Sequence, residues 1–284
     1  MITVMMNKWP AMALFVGLLV TLACNMPLLS PRPTPTATPQ PTATATSIIP
    51  PTLTPLPEDT GWQNLQPGIE VRSLNVAVGT NMERVTIARL EPTAVVFRVL
   101  YAPGAPATIS AWAQQTGALL TVNAGYFTEE QIVTGLTISN REVFGTSYGD
   151  FAGMFAVTES GEVSVRWLRI WPYDWSEPLR EAVQCFPVLV KPGGVMGFPA
   201  DADDGRPARR TVIAQDYNGR ILMLIAPRGF FSLHVLATWL ADSDLDVDIA
   251  LNLDGGPSSG LWIPNVATID SMTSVPAVIA VMSR

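Results

Sequence analysis

RTVIAQDYNGRILMLIA, residues 210–226, is two apolar runs separated by a polar turn. Asn218-Gly219 supplies the left-handed backbone freedom that closes a tight hairpin, so the stretch predicts two antiparallel strands. FAVTESGEVSVRWL, residues 155–168, has the same form with its turn at Ser160-Gly161. Toward the N-terminus, VRSLNVAV (71–78), VTIARL (85–90) and AVVFRVLYA (94–102) are rich in branched residues and partly alternate, as half-buried strands do. Thr108 caps a predicted helix, ISAWAQQT, that Gly117 ends, and Ser232 opens a second, LHVLATWLADS, with Leu233, Leu236, Ala237 and Leu240 on one face. ALLTVNAGYF, IALNL, LWI and SVPAVIAVMS complete the strands. Many strands with two or three helices and no internal repeat predict an α+β domain around a mixed, strongly twisted sheet.

The chain has 284 residues, 48% of them hydrophobic, enough to bury the core of a single domain. Before Pro57 there is no acidic residue, so the remainder carries all 24 carboxylates against 15 of the 17 cations, a formal charge of −9. That balance argues against a nucleic-acid partner, whose binding depends on basic patches. Only Lys8 and Lys191 are lysines; the other fifteen cations are arginines, which suit a planar grip on carboxylate or phosphate, although genome composition produces the same bias. Cys24 and Cys185 make no disulfide framework, and Cys185 reads as a small buried hydrophobe.

Lys8 followed by WPAMALFVGLLVTLAC has the charge order of a secretory signal. Its ending, Leu22-Ala23-Cys24, resembles a bacterial lipobox, which predicts lipidation at Cys24; a retained N-terminal helix is the other route to an anchor. Residues 30–57 hold nine prolines and eight threonines, a composition that stays extended and solvated. The expected layout is a signal or lipoprotein-type segment at 1–24, a Pro/Thr-rich linker at 25–57, and a working domain at 58–284, exported and tethered to a membrane surface.

Two strand ends in that domain carry polar side chains followed by glycine. LTVNAG ends in Asn123 with Gly125 beyond it, and LNLDGGPSSG, residues 251–260, ends in Asp254 with Gly255 and Gly256 next. If the two strands lie side by side, Asn123 and Asp254 meet at one edge of a sheet. Glycine turns of this kind can aim N–H groups at an anion, and Arg209-Arg210 at the start of the hairpin can add positive charge, with Arg210 favoured by alternation. Gly256-Pro257-Ser258-Ser259-Gly260 formally matches a nucleophile elbow, but a strand-like LWI follows instead of a helix, and the only histidine, His234, precedes the serine. One histidine rules out a histidine-rich zinc site, and Asp201, Asp203 and Asp204 lack the spacing of an EF-hand.

VNAGYF (122–127), GLTISN (135–140), FPVLVKPGGV (186–195), RRTVIAQDYNGRILML (209–224), the helix at 232–242 and ALNLDGGPSS (250–259) occur in that order. This ordered set resembles the phosphodiester glycosidase family. The resemblance implies hydrolysis of a sugar 1-phosphodiester, with Asp254 as nucleophile or general base, Arg210 as phosphate clamp and Asn123 as a hydrogen-bond partner of sugar or phosphate. Gly125, Gly255, Gly256, Ser258 and Ser259 fall on its substrate-binding turns, with the Gly255-Gly256 backbone as an oxyanion contact. Two departures stand out: Pro257 where a third glycine is usual, which removes an N–H donor, and Phe186 where a smaller residue is common. A phosphate leaves as a stable anion, so positive charge can replace the protonated acid that glycosidases ordinarily need. No cofactor is predicted, and the sequence is compatible with a divalent ion. The competing reading is a non-catalytic lipoprotein that holds glycan through Trp112, Trp167, Trp171 and Trp175.

Overall fold

The computed structural model describes residues 57–284. The expected signal segment, the lipidation point Cys24 and the linker as far as residue 56 lie outside the described residues. No helix among the described residues is long and apolar enough to cross a membrane.

In chain order the strands are β1 (Gln63–Gln66), β2 (Ile69–Val78), β3 (Asn81–Leu90) and β4 (Val95–Tyr101), then helix α1 (Ile109–Thr116) and β5 (Leu120–Asn123). There follow β6 (Thr137–Ser139), β7 (Glu142–Phe144), β8 (Gly153–Thr158), β9 (Val163–Trp167), β10 (Leu179–Cys185), β11 (Val188–Lys191) and β12 (Val195–Met196). The last third contains β13 (Arg210–Asp216), β14 (Ile221–Ala226), helix α2 (Leu233–Asp242), β15 (Val247–Asn252), β16 (Leu261–Ile263), β17 (Ala267–Ile269) and β18 (Ala277–Ser283).

These strands form an eight-stranded sheet in the order β1-β2-β3-β14-β13-β15-β11-β12 and two five-stranded sheets, β7-β6-β10-β8-β9 and β17-β16-β5-β18-β4. The expected mixed sheet gives way to a mainly-β fold in which every ladder between named strands is antiparallel. The reason lies in the two strand–helix–strand units. β14 and β15, joined through α2, do not pair; β13 lies between them, antiparallel to both. β4 and β5, joined through α1, are likewise separated by β18. Each crossover therefore spans an intervening antiparallel strand instead of creating a parallel neighbour.

Local signals place the element ends. The Thr108 side chain accepts the Ala111 N–H at the start of α1, and Gly117 closes it at φ 65°. The Ser232 side chain accepts the Val235 N–H at the start of α2. Gly219, at φ 81°, closes the hairpin between β13 and β14, in which Gln215 pairs with Ile221.

Both faces of the large sheet are covered at β14, which is why its sequence is apolar throughout. Ile221, Met223 and Ile225 enter the central core between the sheets, while Leu222, Leu224 and Ala226 face outward under α2, beside Leu236, Ala237 and Leu240. Ile109 and Trp112 of α1 cover Val278 on the outer face of another sheet. Cys185 is fully buried in the central core, as its reading as a small hydrophobe required.

Candidate active site

The chain leaving β15 is held on three sides by backbone hydrogen bonds. Asn252 N–H donates to the Pro187 carbonyl (3.0 Å), Leu253 N–H to Thr211 (2.9 Å) and Asp254 N–H to Ala124 (3.1 Å). Asp254 is thereby set between β13 and the turn that follows β5. Gly255 allows the next approach: a Cβ there would lie 3.1 Å from the Arg209 carbonyl and 3.7 Å from Arg210 Nη1. Gly256 adopts φ +58°, and Pro257 occupies the first turn of the 3-10 helix Gly256–Ser258, where its missing N–H costs nothing. β16 follows directly, so the Gly-x-Ser-x-Gly run does not lead into a helix as an elbow does.

Asn123 and Asp254 do meet, but across two different sheets, not on neighbouring strands. Asn123 Nδ2 donates to the Asp254 carbonyl (2.7 Å), while its Oδ1 accepts from the Thr211 hydroxyl (2.7 Å) and the Gly260 N–H (3.1 Å). The side chain is buried and its amide is engaged at both ends, so it brackets the turn instead of offering a free edge to sugar or phosphate. The expected oxyanion contact is also altered. Gly255 N–H donates to Asp254 Oδ1 (2.9 Å) and Gly256 N–H to the Arg209 carbonyl (2.8 Å), so neither points freely at a ligand.

The two arginines take different partners. Arg209 Nη2 donates to the carbonyls of Ser259 (2.7 Å) and Asp270 (2.8 Å) and so ties the serine turn to the loop behind it. Arg210 is half-buried; its Nε donates to the Phe231 carbonyl (3.2 Å) and its Nη2 to the Arg206 carbonyl (2.9 Å). Those bonds use two of the five guanidinium N–H groups and leave Nη1 against Gly255. Among the described residues no carboxylate lies within 4.0 Å of Arg210. A positive, partly desolvated group with donors to spare thus stands one residue from Asp254.

Burial pushes the Asp254 carboxyl up to about 6, against the pull of the Ser258 hydroxyl and the Gly255 N–H, which favour the ionised form. Burial lowers the pKa of Arg210, partly opposed by Tyr126, Asp203 and Asp204. The combination is a carboxylate mostly ionised at neutral pH but a stronger base than an exposed one.

Tyr126 and Asn252 complete the site, and neither was singled out from the sequence. Tyr126 OH donates to the Phe186 carbonyl (2.8 Å) and accepts from Asn252 Nδ2 (3.1 Å). Burial raises the phenol's pKa, as do Cys185 and Asp254, so it remains protonated. Tyr126 was legible only as part of VNAGYF, and Asn252 as the residue two before Asp254 in LNLD. Phe186 packs its ring on Tyr126 (centroids 4.8 Å apart), Tyr148 (5.3 Å) and Phe151 (5.6 Å), forming an aromatic wall.

The other anticipated residues take different places. A Cβ on Gly125 would meet the Gln184 carbonyl and Val183 Cγ1, each at 3.2 Å, so glycine lets the turn pack against β10. Ser259 is buried and its hydroxyl has no hydrogen-bond partner among the described residues, whereas Ser258 is the serine that interacts with Asp254. Trp112 is a core residue whose Nε1 donates to the Val275 carbonyl; Trp167 is half-buried; Trp171 and Trp175 are exposed. His234 Nδ1 meets the Phe198 carbonyl at 2.9 Å at the edge of α2. Asp203 accepts the His234 N–H and Asp204 the Arg206 N–H, and among the described residues no three His, Cys, Asp or Glu side chains are grouped to hold a metal ion.

A family model described as phosphodiester glycosidase matches residues 116–282, more than half of the chain. Among solved structures, the chain is similar to a hypothetical protein from Synechocystis, with TM-score 0.61 and 16% identity, over 78% of this chain and 63% of that one. It therefore spans less than two thirds of that relative's length. It is also similar to the zebrafish N-acetylglucosamine-1-phosphodiester alpha-N-acetylglucosaminidase catalytic domain auto-inhibited by pro-peptide, with TM-score 0.61 and 16% identity, over 78% of this chain and 86% of that one. At this identity the likeness establishes a shared fold. No curated protein matches the sequence.

Proposed function

The chain belongs to the phosphodiester glycosidase family, and we propose that it hydrolyses the bond between a sugar and phosphate in a sugar 1-phosphodiester. The observation that supports this most is the placement of Arg210, which has no carboxylate partner among the described residues, against Gly255, the residue that follows the desolvated carboxylate Asp254. In this reading the phosphodiester group docks on the spare N–H groups of Arg210 and the sugar's anomeric carbon faces Asp254. Cleavage breaks the bond between the anomeric carbon and the phosphate oxygen. The electron pair leaves with the phosphate monoester, whose developing charge Arg210 stabilises. Asp254 either attacks the anomeric carbon, forming a glycosyl ester that water then hydrolyses to free sugar and carboxylate, or takes the proton of a water that attacks that carbon directly. Asn123 acts as a positioning residue through the Asp254 carbonyl, and Asn252 and Tyr126 fix the wall beside it.

Export and membrane tethering, at a lipidated Cys24 or through an N-terminal helix, belong to the same proposal and rest on the sequence. That address suits a substrate outside the cell, such as a wall or capsular glycan phosphate. A second reading, glycan binding without turnover, is favoured by the exposure of Trp171 (52%) and Trp175 (69%). The purified protein incubated with UDP-N-acetylglucosamine separates the two. Sugar release that disappears in Asp254→Asn supports hydrolysis. Release that survives in Asp254→Asn removes the acid from the mechanism, and glycan binding without release on a panel of 1-phosphodiesters favours the second reading.

A further inference from the structure

At the far end of β13 from Arg210 lies a cavity of about 610 Å³, within the size range of small-molecule sites. β9 contributes Ser164 to its wall, the end of β13 Gln215, the loop after β3 Glu91 and the segment after β9 Trp171. The Val165 N–H donates to Gln215 Oε1 (3.1 Å) and so ties β9 to the hairpin that begins at Arg210. Gln215 is five residues beyond Arg210 on that strand, about 17 Å along it, and neither Arg210 nor Asp254 lines the cavity.

Trp171 is an exposed ring that is held from behind. Arg166 is buried, at 2% exposure, and its Cζ stands 4.2 Å from the centroid of the Trp171 ring. Glu177 fixes the arginine in turn: Arg166 Nη1 donates to its Oε2 (2.8 Å), while its Oε1 accepts the Asp174 N–H (3.0 Å). Arg166 Nε has no hydrogen-bond partner among the described residues, a cost that core packing alone does not require. The Trp171 N–H donates to the Trp167 carbonyl (3.0 Å), so main chain and ring are both anchored. A large apolar ring left in solvent yet fixed in place is a platform ordered before a ligand arrives, which lowers the entropy lost on binding.

The lining also selects the ligand's charge. Glu91, Glu162 and Glu177 stand there against Arg166 alone, a formal charge of −2, and neither Glu91 nor Glu162 has a cation within 4.0 Å among the described residues. Such a wall repels anions. A cation gains little from the Trp171 ring, because Arg166 already lies over one of its faces. An uncharged sugar ring meets neither obstacle: its C–H face lies on Trp171 and its hydroxyls donate to the carboxylates, whose charge strengthens those bonds. We propose that this cavity binds a neutral sugar ring, at a second site that holds glycan away from the place of cleavage. The site does not depend on the reading of Asp254 and Arg210, since it takes uncharged sugar where they would take phosphate.

Calorimetric titration of the full-length protein in mildly acidic buffer tests the proposal with disaccharides of different charge. N,N′-diacetylchitobiose, cellobiose and maltose are neutral, chitobiose is cationic and the hyaluronan disaccharide is anionic. At least one neutral disaccharide is expected to bind about fivefold more tightly than either charged one. Trp171→Ala should weaken that binding about tenfold and Trp171→Phe, which keeps an aromatic face, no more than about threefold. Both variants should release sugar from UDP-N-acetylglucosamine at the wild-type rate. In the wild-type protein, the bound sugar should slow oxidation of Trp171 by N-bromosuccinimide relative to that of Trp175, an exposed ring outside the cavity, which keeps the test independent of how a variant folds. Failure of every neutral disaccharide to bind, equal or tighter binding of a charged one, unchanged affinity in Trp171→Ala, or an unprotected Trp171 overturns the site. Sugar release that depends on Asp254 survives such a failure intact. Conversely, Trp171-dependent binding in a protein that releases no sugar from any 1-phosphodiester removes the cleavage reading and leaves this site standing.

Discussion

Replacing Asp254 with Asn should abolish turnover and at the same time make the protein more stable. The carboxyl sits at about 6 in the folded protein against an ordinary 3.8, because burial opposes its ionisation. Above pH 6 the folded state therefore holds a charge that the unfolded chain holds more easily. The difference corresponds to about 3 kcal/mol, taken as an upper value. Asparagine has nearly the same shape and keeps an oxygen to accept the Gly255 N–H, so little else changes. The sign follows from the raised pKa: the favourable contribution of the protonated acid is fully present below pH 3.8 and is lost as pH rises through about 6. Hence Asp254→Asn should exceed wild type by roughly 2–3 kcal/mol at pH 8, or roughly 5–10 °C in melting temperature for a domain of this size, and the two should converge near pH 4. Paired urea titrations and thermal melts at pH 4, 6 and 8 measure this directly, since every other titrating group is common to both proteins. Equal stability at pH 8, or a less stable variant, would refute the claim that burial strains this carboxylate.

The same shift makes kcat/KM for a sugar 1-phosphodiester fall as pH drops through about 6, provided Asp254 must be ionised; a profile flat to pH 4.5 would contradict that requirement. Arg210→Gln should lower kcat/KM by on the order of 10²–10³ with the melting temperature nearly unchanged, because only two main-chain contacts are lost, and steady-state kinetics beside a melt decides it. Asn123→Ala removes a buried bracket and strands the Thr211 hydroxyl and the Gly260 N–H, so urea unfolding should show a loss of about 2–4 kcal/mol; a loss under 0.5 kcal/mol would leave Asn123 available for some other role. Trp175→Ala, at an exposed ring, should change stability by less than about 0.5 kcal/mol, while glycan affinity measured on the same variant reports whether that surface binds sugar.

Much of the local structure was legible because the signals act within a few residues. Thr108 and Ser232 cap their helices, Gly117 ends one, and the Asn218-Gly219 and Ser160-Gly161 turns join the strands expected of them. Helix-mediated strand pairs read locally as parallel crossovers, and only the placement of β13 and β18 between their members makes the sheets antiparallel. The site divides in the same way. Asp254 on its glycine turn, and Arg210 at the start of a strand, are placed there by short-range signals, turn chemistry and strand propensity.

Asn123 could be expected near Asp254 but not assigned its task. A buried amide takes whatever partners converge on it, and here they come from Thr211, Asp254 and Gly260, as many as 137 residues away in the chain. Phe186, a departure from the expected pattern in sequence, becomes the ring that Tyr126, Tyr148 and Phe151 surround once β11 is registered against β15. The sequence by itself determined where strands, turns and caps begin, and which acid and which arginine stand at strand ends, because propensity and periodicity are encoded over a few residues. Only the tertiary structure decided which glycine N–H groups are already bonded, that Arg210 lacks a carboxylate partner among the described residues, and how far burial raises Asp254, because each depends on what distant segments bring within a few ångströms.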